Sequence, residues 1–149
     1  MTIIFIAMPA IPNPEVFLDS SYVIALALAT DAHHPISLEL SRQIAARRTK
    51  IITTRAVLLE IGNALAKAHS RQACIRLINA LTISSTTEIV PLTEDLLAQS
   101  WELFCQRPDK DWSWTDCISF VVMKERGLKQ ALTSDSHFEQ TGYIALLRQ

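Results

Sequence analysis

Four carboxylates stand out in this chain because of where they fall. Asp19 follows the short apolar run Val16-Phe17-Leu18, and Asp135 closes Ala131-Leu132-Thr133-Ser134 in the same way. One acid between a buried strand and a helix is commonly a helix cap. Two at matching strand ends in one short chain exceed what capping predicts. Asp116 lies in the first turn of a helical pattern, where Ser113-x-x-Asp116 fits a capping box. Phe120 and Met123 follow at i+4 and i+7, so Asp116 heads a stripe that reads as buried. A carboxylate there needs backbone N–H groups or a cation as partner. Glu60 sits mid-helix in Ala56-Val57-Leu58-Leu59-Glu60-Ile61, where most glutamates are simply solvated, although Ala56 and Ala64 leave room around it.

Gathered in one place, these groups suit a hard divalent cation such as Mg²⁺ or Mn²⁺, which takes oxygen ligands. Crowded carboxylates in apolar surroundings otherwise tend to protonate, and a bound divalent ion reverses that tendency. Such an ion acidifies a coordinated water and neutralises charge developing on a phosphoryl group. A polyanionic substrate fits the charge distribution as well. The chain carries a formal charge of only −1, yet residues 41–80 hold eight basic residues against the single acid Glu60, a net of +7. Arg42, Arg47, Arg48, Lys50, Arg55 and Lys67 are therefore candidates to track phosphates, with Arg71 and Arg76 completing the stretch. Ordinary solvated helix faces are the competing reading.

The elements that must position these groups alternate between strand and helix. Val16–Leu18, Lys50–Thr53, Glu88–Val90, Gln130–Thr133 and Tyr143–Leu147 read as strands. Helices are expected at about Tyr22–Ala29, Ile36–Arg48, Thr54–Ala68, Arg71–Leu81, Thr93–Cys105 and from Ser113 or Thr115 to Gly127. No Asn-Gly type turn marks a hairpin. The pattern predicts an α/β chain with a mostly parallel sheet of four to five strands covered on both faces. Ligands of such sheets sit beyond the carboxyl ends of the strands, where Asp19 and Asp135 fall.

At 149 residues and 49% hydrophobic composition the chain is expected to form one globular domain. Met1–Glu15, with prolines at 9, 12 and 14, reads as a leader before a domain spanning 16–149, with an extra edge strand as the alternative. No segment approaches the roughly 18 apolar residues of a membrane span, and Ile3–Met8 lacks the basic start of a secretory signal. Cys74, Cys105 and Cys117 suggest reduced, mostly buried thiols, consistent with the cytoplasm. Gly62, Gly127 and Gly142 are isolated, so phosphate-cradling glycine loops find no support. An aspartyl-phosphate enzyme would want an acid two residues after Asp19, where Ser21 stands.

Lys110-Asp111-Trp112-Ser113-Trp114-Thr115-Asp116-Cys117-Ile118-Ser119-Phe120, followed by Ala131-Leu132-Thr133-Ser134-Asp135-Ser136-His137-Phe138-Glu139-Gln140-Thr141-Gly142-Tyr143, resembles the third and fourth acidic motifs of the PIN-domain family. Val16-Phe17-Leu18-Asp19-Ser20-Ser21 is similar to the first, and Glu60 matches the second acid. The likeness covers about Val16–Leu147 and is nearest to the single-domain toxins of VapBC-type toxin–antitoxin pairs. It implies a three-layer α/β/α fold, a Mg²⁺- or Mn²⁺-dependent endoribonuclease, a homodimer, and an antitoxin whose tail blocks the pocket. By position, Asp19, Glu60, Asp116 and Asp135 would bind metal and activate water. Ser20 and Thr115 could orient ligands or phosphate, although caps are their commoner use, and Asp111 could be an outer acid. A PIN-like module that binds RNA or protein without cutting, or another metal-dependent phosphohydrolase, is the alternative. His137 reads as a helix-surface residue, with phosphate contact or acid–base work as the other option. Trp101, Trp112 and Trp114 read as packing or a dimer face, with base stacking as the other option.

Overall fold

The computed structural model describes residues 14–149. Five strands form one sheet: β1 (Glu15–Leu18), β2 (Lys50–Thr54), β3 (Thr87–Val90), β4 (Gln130–Leu132) and β5 (Ile144–Ala145). Their order is β3-β2-β1-β4-β5 and every pairing is parallel. The helices are α1 (Ser20–Ala27), α2 (His34–Arg47), α3 (Arg55–Ala64), α4 (Ala68–Ile83), α5 (Glu94–Gln106), α6 (Trp114–Arg126) and α7 (Ser136–Gln140). From β1 the chain steps outward to β2 and β3, then returns to the other side of β1 for β4 and β5. Right-handed crossovers in opposite directions put the helices between β1 and β3 towards one face and those after β3 towards the other, with α3 touching both α1 and α6. Accordingly, α1 packs on α2, α3 and α4, while α5 packs on α6.

The central strands are hydrophobic on both faces because both are covered. Val16, Phe17, Leu18, Ile52, Ala131 and Leu132 are almost fully buried. Phe17 meets Phe138 of α7, and Phe138 in turn sits edge-on to Phe120 of α6. Trp112 is also buried, edge-on to Phe120 with its indole N–H donating to Gln140, so packing is its role. Trp101, Phe104 and Trp114 form a half-exposed aromatic group.

Several boundaries differ from expectation. Glu15, expected as the last residue of the leader, opens β1 and pairs with Lys50, whose amide donates to the Pro14 carbonyl; residues 1–13 of the expected leader lie outside the described residues. The helix expected over 54–68 ends at Ala64 and the next begins at Ala68 instead of Arg71, because Leu65 leaves the helix to bury and the Ser70 hydroxyl donates to its carbonyl. The last strand is only Ile144–Ala145. The chain then turns into a short 3₁₀ segment that buries Leu146 and Leu147, and the Leu147 amide bonds the Thr133 carbonyl. Cys74 and Cys117 are buried as expected, but Cys105 is exposed.

Candidate metal centre

Strand β1 is flanked by β2 on one side and β4 on the other, so the winding direction reverses between β1 and β4. Such a reversal splays the connections apart and leaves a crevice at the carboxyl edge. Asp19 follows β1 and Asp135 lies just beyond β4, one on each side of it.

Asp19 occupies the N-cap position of α1, but its side chain does not cap the helix. It turns instead across to the β4 connection. The Thr133 hydroxyl donates to its Oδ2 at 2.7 Å and the Ser21 hydroxyl donates to the same atom at 3.0 Å. Burial pushes this carboxyl above the ordinary range against those two hydroxyls, and the charge of Asp116 raises it further. Asp135 does cap, accepting the His137 amide at 2.9 Å at the start of α7. Its own amide donates to Thr133 Oγ1 at 3.0 Å. Thr133, fully buried, therefore holds both strand-end acids through one hydroxyl.

Asp116 closes the expected capping box: its Oδ2 accepts the Ser113 amide at 3.0 Å, and Ser113 Oγ accepts the Asp116 amide at 3.0 Å. Ser113, not Thr115, is thus the cap of α6. Asp116 is also buried, and burial followed by the charge of Asp135 raises its carboxyl, while the Ser113 amide and His137 oppose the rise. Capping and pocket membership are compatible, because the first turn of α6 opens onto the crevice. Glu60 comes from α3, which packs against α6. Its carboxyl is raised first by burial and then by Asp19, with smaller pushes from Asp116 and Asp135; the Ser20 hydroxyl bonds it and lowers it. Four acids from four elements consequently share one electrostatic field.

His137 departs from expectation. It is half-buried and turned towards the acids: its Nδ1 lies 3.1 Å from Asp116 Oδ2 and 3.4 Å from Asp135 Oδ1. Asp116, Asp135 and His137 can each offer a ligand atom within 4.8 Å of the others. Asp19 and Glu60 stand outside that tightest group. The donor set is two carboxylates and an imidazole with further acids behind, which fits a divalent cation with a preference for oxygen.

The other candidates divide. Ser20 is buried beside Glu60, Thr115 is half-buried in the first turn of α6, and Asp111 is exposed in the loop before α6. Of the basic residues, Arg55 begins α3 at the carboxyl edge and is exposed. Lys50 begins β2, about 13 Å away along five residues of strand. Its ammonium pairs with Glu15 and Glu88. Arg47 and Arg48 end α2 just before it, at the same amino edge, and Arg42 pairs with Glu39. Lys67 lies beyond the far end of α3. The basic stretch therefore does not form one face beside the acids. Thr133 received no role from the sequence and Ser21 only that of a possible helix cap, not a part in the site; a hydroxyl ending an apolar strand two residues before an acid is the available signal for Thr133.

The PIN domain family model matches residues 16–143. The 23S rRNA-specific endonuclease VapC20 of Mycobacterium tuberculosis, from strains CDC 1551 / Oshkosh and H37Rv, is 28% identical over 129 residues, covering 87% of this chain and 95% of the relative. The crystal structure of M. tuberculosis VapC20, described as a Sarcin-Ricin loop cleaving toxin, superposes with a TM-score of 0.77 at 27% identity, over 87% of this chain and 96% of that one. FitAcB from Neisseria gonorrhoeae shares the fold, with a TM-score of 0.58 at 17% identity over 87% and 94% of the two chains.

Proposed function

The chain belongs to the PIN-domain family and resembles VapC-type toxins, and from that footing we propose that it is a divalent-metal-dependent endoribonuclease paired with an antitoxin. One observation carries the reading beyond family membership. Asp116 and Asp135, from separate elements, bring ligand atoms within 4.8 Å of each other and of His137. Asp19 stands at the neighbouring strand end, and Glu60, from a fourth element, is raised by burial and then by the charges of the other three acids. Carboxylates crowded this way at a switch-point crevice destabilise the fold unless a cation offsets them. A protein that keeps them there is using them.

In this reading Asp116 and Asp135 would hold Mg²⁺ or Mn²⁺, with Asp19 and Glu60 alongside. When bound, such an ion acidifies a coordinated water and neutralises charge at the phosphoryl group. The protein's own groups do the rest. Asp19 and Glu60, beside that pair, would take the proton that the attacking water releases. Thr133 and Ser21 fix the Asp19 carboxylate, so that its orientation does not depend on substrate. Ser20 does the same for Glu60. Arg55, exposed at the same edge, is the nearest of the candidate phosphate contacts. The working unit runs from Glu15 to the end of the chain. No helix among the described residues is long and apolar enough to cross a membrane, in keeping with action on RNA in the cytoplasm.

Because the relative acts on 23S rRNA, the test starts there. Purified chain should cleave 23S rRNA or another structured RNA with Mg²⁺ or Mn²⁺ present and not in EDTA. Asp19→Asn and Asp116→Asn should each cut at least a hundredfold more slowly while remaining folded. Metal-independent cleavage, or Asn variants that cut as fast as the parent, would overturn the mechanism. RNA binding without any cutting would favour a non-catalytic module. Co-expression with a small neighbouring reading frame, followed by sedimentation of the complex, tests the antitoxin and the homodimer together.

A further inference from the structure

We propose that His137 is a direct nitrogen ligand of the cation held by Asp116 and Asp135, shifting the centre away from Mg²⁺ towards transition-series ions such as Mn²⁺. This rests on the metal-centre reading above and adds to it a residue that the four-acid pattern does not include.

The geometry is fixed from two sides. Asp135 caps α7 through the His137 amide, which sets the direction in which the second residue of that helix projects. The Ser113 amide holds Asp116 from the opposite side. Between them the imidazole Nδ1 stands 3.1 Å from one carboxylate oxygen and 3.4 Å from the other. An octahedral ion with bonds of about 2.1–2.2 Å has neighbouring ligand atoms about 3.0–3.1 Å apart, since that separation is √2 times the bond. The imidazole nitrogen is thus about one octahedral edge from the Asp116 oxygen and slightly more from the Asp135 oxygen, and the three atoms all lie within 4.8 Å of one another, close enough to reach one ion. Carboxylate oxygens only accept, so Nδ1 faces them either as an N–H donor or with its lone pair towards a cation shared by all three. Imidazole is a poor partner for Mg²⁺, which keeps oxygen ligands and water, and a better one for first-row transition ions, among which Mn²⁺ is the most oxygen-preferring. The side chain is 25% exposed, so water and ions reach it.

The competing arrangement is a protonated imidazole that stands in for a cation and competes with it. The two predict opposite signs. Metal binding to the full-length chain is measured by calorimetry with MnCl₂ and with MgCl₂, and by the nitrogen modulation in pulsed EPR of bound Mn²⁺. As a ligand, His137 gives a nitrogen signal that disappears in His137→Ala. The same variant raises the Mn²⁺ Kd at least tenfold and the Mg²⁺ Kd less than threefold. His137→Asn, which offers an oxygen near the position of Nδ1, keeps Mg²⁺ binding and still lacks the preference for Mn²⁺. A His137→Ala chain that binds both ions more tightly, or a parent without the nitrogen signal, overturns the assignment while leaving the acidic centre standing. A parent that binds no Mn²⁺ at all overturns the metal centre itself, and this proposal with it. Melting of each variant in EDTA confirms that it is folded.

Discussion

Replacing Thr133 by valine removes a hydroxyl and almost nothing else, since the two side chains have nearly the same shape. Thr133 is fully buried, and its hydroxyl donates to the buried Asp19 carboxylate at 2.7 Å while accepting the Asp135 amide at 3.0 Å. A hydrogen bond to a charged group contributes about 1.5–3 kcal/mol, and the second, neutral bond about 1 kcal/mol. The Asp135 side is half-exposed, so water recovers part of the second loss. We expect a net destabilisation of about 2–4 kcal/mol. For a chain of this size each kcal/mol moves Tm by roughly 2–4 °C, so a drop of around 6–12 °C follows from the middle of that range. Urea unfolding and thermal melts, both in EDTA, measure it, and RNA cleavage should fall in parallel because Asp19 loses its fixed orientation. Thr133→Ser is the decisive control. It keeps the hydroxyl and deletes a buried methyl, costing about 1 kcal/mol. If the hydroxyl matters, the order of stability is Thr, then Ser, then Val. An order of Thr, Val, Ser would show that packing alone holds this position and would refute the reasoning.

Three further expectations rest on separate observations. Asp19, Glu60 and Asp116 have carboxyls raised in the fold, so the native protein holds protons that the unfolded chain has released. Stability in EDTA should therefore rise as pH falls from neutral towards the ordinary carboxylate range. Glu88 works the other way: held at about 2 by Arg126 and Lys50, it contributes stability that is lost as pH falls from 4.5 towards 2. Urea midpoints across pH 3–8 should show that maximum, and saturating Mn²⁺ should stabilise most at the neutral end; a midpoint falling steadily from pH 7.5 downward would contradict it. Arg55→Ala should weaken RNA binding several-fold and reduce the salt slope by about one, whereas Lys50→Ala, at the opposite edge, should change affinity less than twofold in filter binding. Trp112→Ala should cost about 3–5 kcal/mol in urea unfolding, and Trp112→Phe less, because a six-membered ring still meets Phe120 while the bond to Gln140 and part of the buried ring are lost.

Local features of the chain were legible because their causes act within a few residues. Thr54 and Thr93 cap α3 and α5, Ser113 and Asp116 form the capping box of α6, and Gly127 ends that helix at φ 64°. The apolar runs before Asp19 and Asp135 became β1 and β4 because a strand covered on both faces must be apolar throughout. The end of α3 was misplaced for the converse reason. Nothing local stops the helix at Ala64; burial of Leu65 and the Ser70 hydroxyl do.

At the site, the sequence by itself determined that Asp19 and Asp135 would stand at strand ends and that Asp116 would stand at a helix start. Periodicity and capping fix those positions without reference to the rest of the chain. It did not determine that β1 and β4 are neighbours, because strand order follows from how the crossovers pack on both faces. That adjacency makes the crevice. It lets one Thr133 hydroxyl serve both acids, and it turns His137 from an ordinary helix residue into one facing Asp116 and Asp135. The packing of α3 on α6 does the same for Glu60, which in isolation was a solvated glutamate. The parallel run of β2 carried Lys50 to the edge away from the acids, although in sequence it is only ten residues from Glu60. Residue type and spacing supplied the chemistry. Tertiary packing alone decided which groups share one electrostatic field, because carboxylates distant in sequence interact only where the fold brings them together.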